Sequence, residues 1–208
     1  MQQKDGSEDR RYRHIFLDAE GTLYVPIQGR SRWDFWANPS PDEAVKFFEL
    51  DKGVVETLKK LREEAETLCL VSRNSEQILG ALLDKFDIRR YFDSVLLNGD
   101  KGKQIEAYLS EKGFSKESAI MVGDMPSLDL YPVWKAGIDA LLVDRAYNRQ
   151  VRAERIRGIS ELPAWLRIAD LAERLVRGSV RNTTLDEFLV EGSCTRDDTK
   201  RLIAAQGE

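Results

Sequence analysis

Asp18, Ala19, Glu20, Gly21 and Thr22 place two carboxylates one residue apart, directly after the apolar run His14 to Leu17. Gly21 permits a backbone turn that would bring both carboxylates to one site. One carboxylate can then attack a phosphoryl group while its neighbour protonates the leaving oxygen and later activates water. A motif this short also arises by chance as a strand end and a polar loop, so its meaning depends on the rest of the chain. Ser72, Arg73, Asn74 and Ser75 follow a second apolar run. The Ser72 hydroxyl and the free amides of the next helix suit a phosphoryl oxygen, with Arg73 and Asn74 beside them; taken alone, this turn reads more simply as a helix cap at Asn74 or Ser75. Lys101 follows a third run, where its ammonium would neutralise a phosphoryl group or the attacking carboxylate. Lys103 competes for that role from a different face of the helix. Asp124 and Asp129 follow a fourth run. Magnesium prefers hard oxygen ligands and takes one or two carboxylates, so Asp18 and Asp124 suit it, with Asp129 completing or orienting the set. Otherwise Asp124 merely begins a turn, and Asp129 lies in a first helical turn, where the dipole favours an acid.

The elements that must position these groups are legible as alternation. Apolar runs at His14 to Leu17, Thr67 to Val71, Ser94 to Leu97, Ala119 to Val122 and Ala140 to Val143 read as strands. Between them lie helical patterns carrying Val54, Val55, Leu58, Leu61 and Ala65, then Ile78, Leu79, Leu82, Leu83 and Phe86, then Ile105 and Leu109, then Leu128, Tyr131 and Trp134. Strands alternating with helices imply a parallel sheet covered on both faces, with ligands beyond the carboxyl ends of the strands, where the polar residues above are gathered.

Residues 24–51 break the rhythm and read as a flap, in which Arg30, Arg32, Trp33 and Trp36 either meet substrate or tuck their aromatics into the core. A short edge strand is expected near Ile156 to Ile159. A helix follows with Leu162, Trp165, Leu166, Ala169, Ala172, Leu175 and Val176 on one face. Thr184 with Glu187 forms a capping-box pattern, and Thr195 opens a last helical candidate through Ile203. The organisation expected is a polar segment 1–12, an α/β domain 13–165 containing the flap, and a helical extension 166–208 that packs on the core or on a second copy of the chain.

A chain of 208 residues, 42% apolar and 33% charged, suits one domain with an appendage. A net charge of -4, with Lys and Arg interspersed among acids, gives no case for nucleic acid. No apolar run is long enough to span a membrane, and the polar start MQQKDGSEDRRYRH lacks a secretory signal, so a cytoplasmic location is expected. Cys69 and Cys194 do not make a disulfide framework. The lone His14 reads as a surface or strand-edge residue without chemistry.

With FLDAEGTL, CLVSRN, the lysine of DKGKQIEAYLSEKG and MVGDMPSLD in this order, the chain resembles the haloacid dehalogenase-like hydrolases over roughly residues 13 to 145. The resemblance implies a Rossmann-like three-layer α/β/α fold of strand order 5-4-1-2-3. It makes Asp18 the nucleophile that becomes an aspartyl phosphate and puts Glu20 in the acid/base position. It assigns the phosphoryl group to Ser72 and charge neutralisation to Lys101. Lys101 is preferred over Lys103 because the stretch to Asp124 is similar to that in phosphoserine phosphatases. Magnesium would be held by Asp18, Asp124 and the carbonyl oxygen of Glu20, with Asp129 as ligand or anchor.

One departure matters. Position 20 is usually Asp in that family, and Glu reaches about 1.5 Å further. A catalytic group misplaced by about 1 Å loses on the order of a hundredfold, so the site must adjust to Glu20. The enolase-phosphatase branch carries a similar Asp-x-Glu-Gly-Thr pattern, which makes glutamate compatible with catalysis. The short flap and SRNSEQI are more similar to the capless magnesium-dependent acid phosphatases, which act on phosphotyrosine-like or sugar phosphates. The implied function is a magnesium-dependent phosphomonoesterase with an open site. The alternatives are a weak or inactive phospho-ligand binder, and a phosphotransferase, which a short lid disfavours because transfer must exclude water.

Overall fold

A computed structural model describes residues 10–176. The chain divides into two compact units, Met1–Pro163 and Ala164–Glu208. In the first unit the strands β1 (His14–Leu17), β4 (Thr67–Ser72), β5 (Ser94–Leu97), β6 (Ala119–Gly123), β7 (Asp139–Val143) and β8 (Arg155–Ile156) form one six-stranded sheet. All its pairs are parallel, in the order β5-β4-β1-β6-β7-β8. Counted over the five apolar runs alone, this is the expected 5-4-1-2-3 order, with β8 added beyond the last strand. β1 is central because both its edges are used: Leu17 pairs with Leu70 on one side and with Val122 on the other.

Two strands, β2 (Tyr24–Pro26) and β3 (Phe48–Leu50), form a separate antiparallel ribbon. Between them lie the short helices α1 (Arg32–Trp36) and α2 (Pro41–Phe47). The flap therefore has internal order that elements of three to seven residues are too short to display as a period. Its core is Phe35, with ring centroids 5.5 Å from Phe47 and 5.0 Å from Phe48. Helices α3 (Val54–Glu64), α4 (Glu76–Phe86), α5 (Lys101–Lys112) and α6 (Tyr131–Lys135) separate the sheet strands. On one face of the sheet Phe16, Cys69, Val71 and Met121 pack against Ile105 and Leu109 of α5 and Val133 of α6. The alternate strand residues, Ile15, Leu17, Leu68, Leu70, Ile120 and Val122, are buried as well, as a sheet covered on both sides requires.

Two expectations are corrected. His14 is buried, because it opens the central strand; its Nδ1 lies 3.0 Å from Thr67 Oγ1 and its ring stacks on Phe114. The helix before Gly137 does not bury Tyr131 and Trp134, which are exposed, but Leu130 and Val133. The cause is a π turn at Pro126–Leu130, in which the Tyr131 amide donates to the Pro126 carbonyl five residues back. The extra residue shifts the buried face.

Helix α7 (Leu162–Val176) begins at the end of the first unit and runs into the second. Leu162, Leu166 and Ala169 of its expected stripe are buried. The helical candidates after Asn182, and Cys194, lie outside the described residues. No helix among the described residues is long and apolar enough to cross a membrane.

Candidate active site

Three adjacent parallel strands deliver the acids and the hydroxyl to one edge of the sheet. Asp18 follows β1, Ser72 ends β4 and Asp124 follows β6. The Asp18 amide donates to the Val122 carbonyl at 2.9 Å, carrying the β1–β6 ladder up to the site. Gly21 then turns the chain with φ of +81°, and a Cβ at this position would run into the Asp124 carboxylate. Both the turn and the close approach therefore need glycine. The side chains of Asp18, Asp124 and Asp129 are buried, and one oxygen of each lies within 4.8 Å of the others.

Lys101 opens α5 and points inward. Its ammonium donates to Asp18 Oδ1 and, at 2.6 Å, to Asp129 Oδ1. Gly102 allows this approach, since a Cβ there would meet the Pro132 carbonyl of α6. Lys101 is 3% exposed, whereas Lys103 faces solvent, so the geometry selects between the two. The other oxygen of Asp129 accepts from the Met125 amide at 2.7 Å, so both its oxygens are engaged, as befits an anchor.

Ser72 Oγ accepts from the Asn74 amide at 3.2 Å, which leaves its own proton free to donate. Asn74, which lines the cavity, donates from Nδ2 to the Tyr24 hydroxyl at 2.9 Å. Ser75 caps α4 by accepting from the Ile78 amide at 3.3 Å. The capping role therefore falls on Ser75, and the Ser72 hydroxyl is not used for it. Arg73 is exposed at the rim of the cavity.

Glu20 is buried, but its carboxylate is not part of the aspartate trio. It accepts from Arg32 Nε at 3.0 Å and from Trp36 Nε1 at 3.1 and 3.2 Å. Arg32 Nη1 also donates to Asp124 Oδ2 at 3.2 Å. Of the flap residues named from sequence, Arg32, Trp33 and Trp36 line the cavity, while Arg30 lies over the Phe47 ring instead. Sequence reasoning missed Arg145, Tyr147 and Asn148. Tyr147 donates to Asp124 Oδ2, Asn148 holds the Asp124 carbonyl at 2.7 Å, and Arg145 holds the Gly21 carbonyl at 2.7 Å. These follow β7, the next strand end along the sheet, and that position was the one available signal.

The electrostatics follow from burial. It pushes the Asp18 carboxyl up to about 6, against the pull of Lys101 and with the help of the Asp124 charge. Asp129 is raised to about 6 by burial and by the charge of Asp18. Asp124 rises through burial and the nearby Asp129, and Glu20 through burial opposed by Arg32. Burial would lower the Lys101 ammonium, but Asp18 and Asp129 more than reverse this. Four carboxylates here meet two ion-paired cations, Lys101 and Arg32. The shortfall of two positive charges matches one divalent ion. Asp124 Oδ1 is buried and has no hydrogen-bond partner, so the residues present fit a hard cation.

The cavity holding these groups measures about 340 Å³ and is walled by Trp33, Trp36, Met125 and Leu128. The family model of the haloacid dehalogenase-like hydrolases matches residues 28–143, more than half of the sequence. The chain belongs to the haloacid dehalogenase-like hydrolases. The match to this family begins after Asp18 and Glu20, and it takes in Ser72, Lys101, Asp124 and Asp129. Solved haloacid dehalogenase-like structures share the fold at low identity. One is a hydrolase of this family from Xanthomonas campestris, with a TM-score of 0.61 and 13% identity over 78% of this chain and 98% of that one. Another is the putative hydrolase YfnB from Bacillus subtilis bound to magnesium, with a TM-score of 0.58 and 15% identity over 76% and 99%. A phosphatase from Thermococcus onnurineus gives 0.56 and 19% over 74% and 97%. A search of curated proteins finds no match.

Proposed function

We propose that this hydrolase is a magnesium-dependent phosphomonoesterase that works through a phosphorylated Asp18. The observation that carries the reading is the pairing of a buried nucleophile with an acidic trio: Asp18 and Asp129 share the Lys101 ammonium, Asp124 is paired with Arg32 through Oδ2, and the buried Asp124 Oδ1 has no partner. A magnesium ion held by Asp18, Asp124 and the Glu20 carbonyl would supply positive charge against the phosphoryl oxygens.

The chain's own residues do the rest. A carboxylate oxygen of Asp18 attacks phosphorus, and the bond from phosphorus to the leaving oxygen breaks as Glu20 passes it a proton. Lys101 holds Asp18 by Oδ1, which leaves Oδ2 to attack. Ser72 donates its free proton to a phosphoryl oxygen. Water then attacks the acyl phosphate while Glu20 takes its proton, releasing inorganic phosphate and restoring both carboxyl groups. The cavity is open beside Trp33, which is 68% exposed, so water can reach the intermediate; this favours hydrolysis over transfer. The magnesium-bound YfnB structure and the Thermococcus phosphatase support the choice of metal and reaction class by analogy.

Incubation with p-nitrophenyl phosphate should release p-nitrophenol only when magnesium is present. Magnesium at about ten times its dissociation constant should also stabilise the protein by roughly 1.4 kcal/mol, read as a melting temperature a few degrees higher. Asp124→Asn should lose both effects. Binding of both metal and phosphate without turnover would identify a phosphate-binding protein instead.

A further inference from the structure

The glutamate at position 20 reaches further than the aspartate more usual there, and the flap meets it. Arg32 Nε and Trp36 Nε1 both donate to the Glu20 carboxylate from successive turns of α1, at 3.0 Å and at 3.1 to 3.2 Å. Oε1 receives both donors, while Oε2 receives only Trp36 and keeps a lone pair free. The same guanidinium reaches Asp124 Oδ2 at 3.2 Å and the Tyr147 hydroxyl at 3.0 Å. Its two edges therefore fix Glu20 relative to Asp124. Helix α1 is itself held down, through Phe35 against Phe47 and Phe48 and through a capping box at Ser31.

Resting on the phosphatase reading above, we infer that Arg32 and Trp36 are positioning residues for the acid. They clamp the Glu20 carboxylate so that Oε2 faces the leaving oxygen, and the flap thereby becomes part of the proton-transfer machinery. A glutamate has one more rotatable bond than an aspartate, and two donors with fixed ring and fork geometry remove that freedom. A shorter acid at position 20 would retreat from both donors. Glutamate is thus required here because the partners of the carboxylate lie on α1.

Leaving-group dependence separates this role from a purely structural one. The ratio kcat/KM covers the steps through departure of the leaving group. p-Nitrophenolate departs with little need of a proton, whereas the alkoxide of glycerol 2-phosphate needs one. Trp36→Phe keeps the ring but removes its donor, Arg32→Lys keeps the charge but not the fork, and Glu20→Asp shortens the acid. In each variant kcat/KM for glycerol 2-phosphate should fall at least about tenfold more than kcat/KM for p-nitrophenyl phosphate. Equal losses on both substrates, or no loss, would overturn the inference while leaving the phosphatase reading intact. Absence of phosphate release by the wild-type protein from either substrate would overturn that reading and this inference with it. If Arg32→Lys fails to fold, Trp36→Phe decides, since Phe35 still anchors α1.

Discussion

Asp18→Asn protein should release phosphate at least about ten-thousandfold more slowly than wild type, the scale on which loss of a covalent nucleophile acts. The substitution is close to isosteric. Its amide oxygen can still accept from Lys101, and the backbone link to Val122 does not involve the side chain. What disappears is the negative charge and the ability to form an acyl phosphate. The melting temperature should therefore change by only a few degrees while p-nitrophenyl phosphate turnover collapses. A variant retaining a tenth of the wild-type rate would mean that another group, or water, attacks phosphorus.

The second large effect is expected at Lys101. Its ammonium is the group that lets Asp18 and Asp129 be buried side by side, and Lys101→Met replaces it with an apolar chain of similar length. Loss of a preorganised charge facing a phosphoryl group should lower kcat/KM by about a hundred- to a thousandfold. Breaking a buried ion pair from one side destabilises by about 3 to 5 kcal/mol when the partner stays charged. Here the partners can take up protons instead. Both carboxyls are already raised to about 6, and removing the ammonium raises them further. A carboxyl raised in the folded state binds more protons there than in the unfolded chain, so stability from this source is lost as pH rises from the unfolded value through the folded one. Urea unfolding of the metal-free proteins should therefore show a larger deficit for Lys101→Met at pH 8 than at pH 5. An equal deficit at both would mean that Asp18 and Asp129 do not carry the charge assigned to them.

The residues visible in the sequence are those whose position follows from strand periodicity. Asp18, Ser72, Lys101 and Asp124 each stand at or just after the carboxyl end of a strand, and a parallel sheet places such ends together. Helix phase separates Lys101 from Lys103 but does not choose between them; that choice comes from the resemblance of the stretch up to Asp124 to the one in phosphoserine phosphatases. Elements too short for a period hid the rest. Arg32 and Trp36 lie on a five-residue helix, and nothing in the spelling RWDFW says which faces inward or that it would reach Glu20. Tyr147 and Asn148 sit in a single 3₁₀ turn after β7, where position alone pointed to the site. The misreading of Tyr131 and Trp134 has a local cause, the extra residue of the π turn, which itself brings Asp129 back toward Lys101. His14 was misjudged because an apolar run on one side says nothing of which strands will flank it. β4 and β6 both do.

During turnover phosphorus should become bonded to the carboxylate of Asp18. Borohydride reduces an acyl phosphate to an alcohol, converting the phosphorylated aspartate to homoserine, which mass spectrometry of the peptide spanning residue 18 detects. Trapping during turnover with magnesium and p-nitrophenyl phosphate should give homoserine at position 18, and none without substrate or in Asp18→Asn protein. Steady phosphate release with position 18 unreduced, or a trapped phosphoryl group on a different side chain, would contradict the covalent role of Asp18.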